Sequence, residues 1–529
     1  MSERCSDRVA AALRDRGVQR VYGIPGGETV HLVDSLEAHD IEFIITRHEN
    51  SAAFMGIGGA RYDGNLGVCL TTVGPGACNV TMGAGTATLD FAPLLVMTGE
   101  LPQKERMYPR KQHIDQRRLF SAVCKGDFEA SVEDSGNMCR KAMELALEER
   151  PGAVHLSLPA DIMAAEAGRE TPLSMKATEA RVPDLTTMRD IIRRSERPVA
   201  IIGAGVVRTK AGSAVRGFLR GNGIPALHTW QGAGVMPFDD PLSMHSIGLP
   251  CNRIPLRCIE ESDLVITIGF DEQEFQPEIW NQDNGKEVLH FSASVPQNVP
   301  CYSPLAAVGD LNVIMEALGK LRGYTGNWAA AIREEYHAHI SAEAPEGDGI
   351  DPVVAIKALL PHMDDAVLVS DVGAHMLWLA EYLPCQREGS VQISNGMIPM
   401  GIGLPAAMGV KFAEPTRHCI TVTGDAGLMM CIGELQTAVE HDLPVTVMVW
   451  NDAALGLIDT RHEIALEKGP GYRLQRTDIA AVARSMGAEG IVVEKASELG
   501  EALKTARHND VPTVLDMRVD YSRNRCLLE

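Results

Sequence analysis

Asp425 and Asp452 stand 27 residues apart, and each comes just after an apolar, β-branched run. Cys419-Ile420-Thr421-Val422-Thr423 precedes the first, and Val445-Thr446-Val447-Met448-Val449-Trp450 precedes the second. Such runs read as buried strands, and the stretch between them, Leu428 to His441, reads as helix. In a parallel sheet the C-terminal ends of neighbouring strands share one edge, and ligands bind there. Two carboxylates converging on that edge suit Mg²⁺, which takes few protein carboxylates and completes its shell with substrate phosphates. In Gly424-Asp425-Ala426-Gly427 the last glycine lets backbone N–H groups approach a phosphate at a helix start. An ordinary βαβ unit with a tight glycine turn would give the same pattern without a metal.

A second candidate lies near the other end of the chain. Thr46-Arg47-His48-Glu49-Asn50 follows the apolar run Phe43-Ile44-Ile45. Alone, Glu49 reads as an acid at a helix N-terminus. Downstream, Gly67-Val68-Cys69-Leu70-Thr71-Thr72-Val73-Gly74-Pro75-Gly76-Ala77-Cys78-Asn79 carries a strand into a Gly-Pro-Gly turn.

The elements that must position these residues fall into three blocks. The first spans residues 1–165 and ends on Val154-His155-Leu156-Ser157-Leu158-Pro159, followed by a polar linker, GRETPLSMKATEARVPD. The second spans 185–325 and contains two strand-to-glycine turns, at Gly203-Ala204-Gly205 and at Gly269. The first of these is Rossmann-like without the full fingerprint. A second linker, HAHISAEAPEGDG, precedes the third block, 350–529. All three blocks read as α/β with parallel sheets.

Composition narrows the function classes. A chain of 529 residues holds about three domains. Hydrophobic content of 45% with 22% charged residues is that of a globular protein. A net charge of −21 disfavours nucleic acid and anionic membranes as partners. Twelve cysteines without a CxxC pair predict reduced, mostly buried thiols and a cytoplasmic location. The N-terminal MSERCSDRVAAALRDRG lacks the apolar core of a signal peptide, and no apolar run is long enough to span a membrane.

GDAGLMMCIGELQTAVEHDLPVTVMVWND together with the Glu49 segment and the Gly-Pro-Gly turn resembles the thiamine diphosphate (ThDP) enzymes. The resemblance covers nearly the whole chain and is closest to acetolactate synthases of the FAD-independent, catabolic type. It rests further on Asp371-Val372-Gly373-Ala374-His375, Ile393-Ser394-Asn395-Gly396-Met397, Met400-Gly401-Ile402-Gly403 and Gln112-His113-Ile114-Asp115. It implies pyrimidine-binding, central and diphosphate-binding domains in that order. Mg²⁺ would be held by Asp425, Asp452 and the carbonyl of Ala454, with Asp452 standing where many members have asparagine. Glu49 would bond N1′ of the aminopyrimidine and relay its proton. His375, Ala426 and Gly427 would meet the diphosphate. Met400 would prop the bent cofactor, the Ile398 carbonyl would accept from the 4′-amine, and Gln112 would face the reacting carbons.

The activity so implied is a decarboxylating 2-oxoacid carboligase, most simply one joining two pyruvates into 2-acetolactate with loss of CO₂. The alternatives are a ThDP decarboxylase or lyase, a carboligase with a more anionic acceptor, and a regulatory paralogue without catalysis. Intact Glu49, Asp425 and Asp452 argue against the last. Lys111 and Arg461, cations where many relatives have other residues, motivate the anionic acceptor. The resemblance also implies a site shared across subunits, hence a homodimer at minimum and commonly a homotetramer. FAD is not expected, because Gly269-Phe270-Asp271-Glu272-Gln273-Glu274-Phe275 carries three acids and no arginine where flavin-dependent relatives have an arginine-bearing segment.

Overall fold

A computed structural model of the chain describes residues 3–170, 183–248, 252–297, 299–322, 327–343, 349–469 and 471–528. Most of the first linker lies outside them. Three six-stranded sheets follow one another along the sequence, and their strand pairings are parallel. The cause is legible in the strands. Leu94–Glu100, Pro198–Ile202, Leu264–Ile268 and Val445–Asn451 are buried along their whole length, so helices must cover both faces.

The first sheet runs Glu42–Ile45, Arg20–Ile24, Gly67–Thr71, Leu94–Glu100, Ala153–Pro159, Gly126–Glu129. The third runs Val391–Ile393, Ala366–Ser370, His418–Gly424, Val445–Asn451, Thr513–Arg518, Glu489–Val493. Numbered within each domain, both have the order 2-1-3-4-6-5, a structural repetition that the sequence does not display. The central sheet instead has the dinucleotide-fold order 3-2-1-4-5-6, with Pro198–Ile202 and Leu264–Ile268 side by side at its switch point.

The first and third domains share one hydrophobic core, in which Phe54, Met55 and Ile57 pack with Leu404, Met408 and Val447. Two helices, Glu49–Asp63 and Gly403–Ala413, make that junction. They cross backbone to backbone. A Cβ on Gly58 would lie 2.1 Å from the Ala406 carbonyl oxygen, and one on Gly409 would lie 2.0 Å from that of Met55. Only glycine permits so close an approach.

Two expectations need correction. The helix read from Leu428 to His441 is two shorter ones, Asp425–Cys431 and Glu434–Glu440, broken at Ile432-Gly433. The break turns Glu434 toward the first domain, and Gly433 is small enough to pass Arg47, whose Cβ would be 3.1 Å from an added Cβ. The second linker begins as helix. His337–Ser341 closes the helix Ala330–Ser341, which buries Ile332, Tyr336 and Ile340. Of these three anchors only Ile340 lies within the linker, a single large apolar residue in a polar stretch. Among the described residues every cysteine is free, and no helix is long and apolar enough to cross a membrane.

Candidate active site

The third sheet places three aspartates at neighbouring strand ends. Asp371 follows Ala366–Ser370, Asp425 follows His418–Gly424, and Asp452 follows Val445–Asn451. Asp425 opens its helix, so Ala426 and Gly427 lie in the first turn. Asp425 is buried, and burial raises its pKa. Burial and then the charge of Asp425 push Asp452 up to about 7. The pair is an electrostatic liability that a divalent cation would relieve. Beside it, the Ala453 carbonyl accepts from Leu474 at 2.7 Å and the Leu455 N–H donates to Tyr472 at 3.0 Å. That antiparallel bridge leaves the Ala454 carbonyl outside its hydrogen bonds.

His375 is the second residue of the helix Ala374–Tyr382 and is buried, so burial lowers its pKa to about 4 and the ring is neutral. Its Nε2 has no hydrogen-bond partner among the described residues. A buried polar atom left without a partner costs stability, so such an atom marks a place for a ligand.

Asp371 is the residue the sequence reading left without a role. Its Oδ1 accepts from Gly401 N–H at 2.9 Å, and its Oδ2 accepts from the Thr423 hydroxyl at 3.0 Å. It therefore ties the turn after Met400 to the Asp425 strand. A Cβ on Gly427 would come within 3.1 Å of the same carboxylate. Ile398, two residues before Met400, has φ +53°, an outlier for a β-branched residue. Strain of this kind persists where surrounding structure enforces it, and it fixes where the Ile398 carbonyl points.

Glu49 and Gln112 both lie against the Gly74-Pro75-Gly76 turn of the first domain. Glu49 is the first residue of its helix, buried, and its Oε2 accepts from Asn79 Nδ2 at 2.9 Å. A Cβ on Gly76 would lie 3.4 Å from its Oε1, and one on Gly74 would lie 2.4 Å from the Gln112 carbonyl oxygen. The Gly-Pro-Gly turn is thus the floor between them. Glu28 holds that turn from behind, bonding the Thr72 hydroxyl and, at 2.7 Å, the Val73 N–H. Gln112 has φ +64° and is exposed, as are Lys111 and Arg461. Among the described residues no hydrogen bond or ion pair joins Glu49 or Gln112 to Asp425, Asp452 or His375.

What does join the two domains near these groups is Glu434. Its Oε1 accepts from the backbone N–H groups of Arg47 and His48 at 2.9 and 3.1 Å, and its Oε2 accepts from Thr437 at 2.8 Å. Burial raises its pKa. The residues just before Glu49 are therefore held by the helix that follows the Asp425 helix.

Residues 3–120 match the N-terminal TPP binding domain of thiamine pyrophosphate enzymes, 185–318 the central domain and 371–517 the C-terminal TPP binding domain. A putative thiamine pyrophosphate-containing protein of Bacillus subtilis, YdaP, is 30% identical over 96% of this chain and 90% of its own length. The chain belongs to the thiamine pyrophosphate enzymes. Similarity to acetolactate synthases is of the same order. The B. subtilis enzyme is 28% identical over 99% of this chain and 94% of its own length. The isozyme 2 large subunit of Escherichia coli is 29% identical over 98% and 95%.

Membership of the thiamine pyrophosphate enzymes names the ligand against which the two polar edges can be tested, pyrophosphate and diphosphate being the same group. The residues present fit it. Orphaned His375 Nε2 and the Cβ-free surface at Gly427 suit a diphosphate, and two adjacent carboxylates without an ion pair among the described residues suit the cation that accompanies one.

The central domain offers a contrasting result. Its dinucleotide-type turn is met by the chain's own Glu274. Both carboxylate oxygens lie 3.1 Å from the Ala204 N–H, and the Thr229 hydroxyl and Asp271 N–H also donate, at 2.9 and 3.2 Å. Burial, then the Asp271 charge, raises Glu274 to about 7. The other two acids of this segment are not bare. Arg150, from the first domain, pairs Asp271 at 3.1 Å and Glu272 at 3.2 Å. The expectation of unrelieved negative charge here is corrected: an arginine 121 residues upstream of Asp271 supplies the missing cation.

Proposed function

We propose that this chain is a ThDP- and Mg²⁺-dependent 2-oxoacid carboligase of the acetolactate synthase type. The observation that supports it most is the Asp425–Asp452 pair beside an unpartnered His375, in a chain whose acetolactate synthase relatives align over nearly its whole length. ThDP, when bound, supplies the electron sink for loss of CO₂ from a 2-oxoacid. The protein's own residues do the rest. Asp425, Asp452 and the Ala454 carbonyl hold the cation, and His375 with the Ala426–Gly427 turn meets the diphosphate. Glu49 would hold a proton for the aminopyrimidine, the Ile398 carbonyl would accept from its amine, Met400 would support the ring, and Gln112 would face the substrate.

Glu49 stands on one domain and the acids on another, so we take the working site to be shared between two copies of the chain. Exposed apolar residues next to both edges support this, among them Ile45 at 53% and Met430 at 59% exposure. A homodimer is then the minimum and a homotetramer an extension of it, which sedimentation at several protein concentrations would distinguish. The protein should also work without FAD. Glu274 takes the amide that a dinucleotide phosphate would need, and carboxylate and phosphate exclude one another there.

Incubation with pyruvate, ThDP and Mg²⁺, followed by assay of CO₂, acetolactate and acetaldehyde, tests the reading. Acetolactate with CO₂ is expected. Aldehyde in its place would favour the decarboxylase alternative. The exposed cations Lys111 and Arg461 favour a second reading, a more anionic acceptor, which product masses from a panel of 2-oxoacids would reveal. Glu49→Gln should lower turnover by about 10²–10⁴-fold.

A further inference from the structure

Tyr521 lies beyond the segment that matches the family, which ends at residue 517, and beyond every motif in the sequence. The fold returns it to the metal edge. After the strand Thr513–Arg518, Val519 bridges to Ile350, and the chain then turns over the helix that carries His375. Asn524 fixes the turn. Its N–H donates to the Tyr521 carbonyl at 3.0 Å, and its Oδ1 accepts from Trp378 Nε1 at 2.8 Å. Arg523 lies over the Trp378 ring and pairs with Asp351 at 3.0 Å. This is a clamped segment, not a loose tail.

The Tyr521 ring packs against Trp450, with centroids 6.2 Å apart, and Trp450 packs against His375 at 6.5 Å. A Cβ on Gly456 would lie 2.4 Å from Asp452 Oδ2 and 3.5 Å from Tyr521 Cδ2, so the phenol and the metal-edge carboxylate flank one point. The phenol oxygen is buried and has no hydrogen-bond partner among the described residues, although the His375 backbone N–H faces it. Buried tyrosine hydroxyls ordinarily find a partner. This one shares its orphan state with His375 Nε2 on the same aromatic chain.

We propose that Tyr521 is a positioning residue of the cofactor site whose hydroxyl donates a hydrogen bond to the diphosphate held at the Asp425–Asp452 edge. The inference rests on the ThDP reading above and adds a donor from outside the family segment. It makes an unusual pair of demands on Tyr521→Phe. Removing a hydroxyl that has no partner in the cofactor-free protein relieves an unmet desolvation cost, so the variant's apoprotein should melt no lower than wild type. Removing a donor from the loaded site should weaken ThDP binding about 10-fold at limiting Mg²⁺, in line with the loss of other groups that orient metal ligands. A tyrosine with only a packing role would move neither quantity, or would lower the melting temperature alone.

The experiment is calorimetric titration of ThDP into full-length wild type and Tyr521→Phe at matched low Mg²⁺, with melting curves of both apoproteins. Weaker binding with an undiminished melting temperature is the expected result. Equal affinity in the two proteins would overturn this inference and leave the ThDP reading intact. A wild type that binds no ThDP in the presence of Mg²⁺ would overturn both.

Discussion

Asp452 in the third domain, half-buried, and Glu274 in the central domain, buried, are carboxylates with the same elevated pKa, about 7, and the same two causes in the same order, burial and then a neighbouring aspartate. Their surroundings differ. Glu274 receives donors from Ala204, Thr229 and Asp271, and Arg150 balances the acids beside it. At Asp452 no ion pair forms among the described residues, Arg473 acting on it only from a distance, and two aromatic polar atoms near it, on His375 and Tyr521, have no hydrogen-bond partner among those residues. Equal perturbation therefore carries different meanings. In one place the chain has answered its own charge and sealed a dinucleotide-type turn; in the other it has left a charge to be answered from outside.

The sharpest way to break this contrast is a pair of truncations. Asp452→Ala should reduce Mg²⁺-dependent ThDP retention by about 100-fold or more, since groups that only orient metal ligands already cost 10–100-fold. Its apoprotein should be no less stable than wild type. Glu274→Ala should behave in the opposite way. It strands three donors, so urea midpoints should report a loss of about 2 kcal/mol or more, while ThDP affinity holds. If both variants lose the cofactor, or both lose stability, the two carboxylates are not different in kind.

A smaller effect concerns protons. The folded-state pKa of both groups lies above the unfolded value near 4, so each penalises the folded apoprotein fully above about pH 7. That penalty is relieved as pH falls through 7 toward 4. These two groups should therefore raise apoprotein stability between pH 8 and pH 6. Only the Asp452 share should respond to ligand, because a coordinating carboxylate must be ionised. Binding of Mg²⁺ with ThDP at pH 7 should then release a fraction of a proton, measurable as a dependence of the binding heat on the buffer's ionisation enthalpy. Identical heats in all buffers would count against the assignment. The smallest expected effect is none: FAD at saturating concentration should leave the melting temperature and turnover unchanged. A flavin-dependent shift would mean that the Glu274 contact opens.

The two regions also differ in how much of them a sequence reveals. The Asp425–Asp452 edge lies within one βαβ unit, so apolar runs and a 27-residue spacing were enough to place both acids at adjacent strand ends. The three parallel sheets were legible for the same reason. Contacts made between units left no local trace. Glu274 reaches Ala204 across 70 residues, Glu434 reaches Arg47 across 387, and Arg150 belongs to a different domain from the acids that it balances. The break at Gly433 was hidden because Leu428, Leu435 and Ala438 keep a helical spacing through it. Asp371 gave the same signal as Asp425, an acid just past a β-branched run, and could have been found. Tyr521 could not, since nothing around it in the chain marks it as polar machinery.

The glycine crossing at Gly58 and Gly409 has a consequence for time scales. Helices packed backbone to backbone have no compressible side chains between them, and they cannot slide without one carbonyl striking the other. The first and third domains of a chain thus move together, and opening of the shared site proposed above would have to come from motion between copies or from surface segments. On the proposed function, the surface segments that carry little buried area and could admit substrate are the Lys111–Gln112 loop and the helix Gly456–Leu466 that bears Arg461. Loop motions run from nanoseconds to microseconds, faster than the microsecond-to-millisecond range of domain hinges. A rigid scaffold with such gates would make turnover sensitive to loop sequence and insensitive to solvent viscosity effects on whole-domain motion.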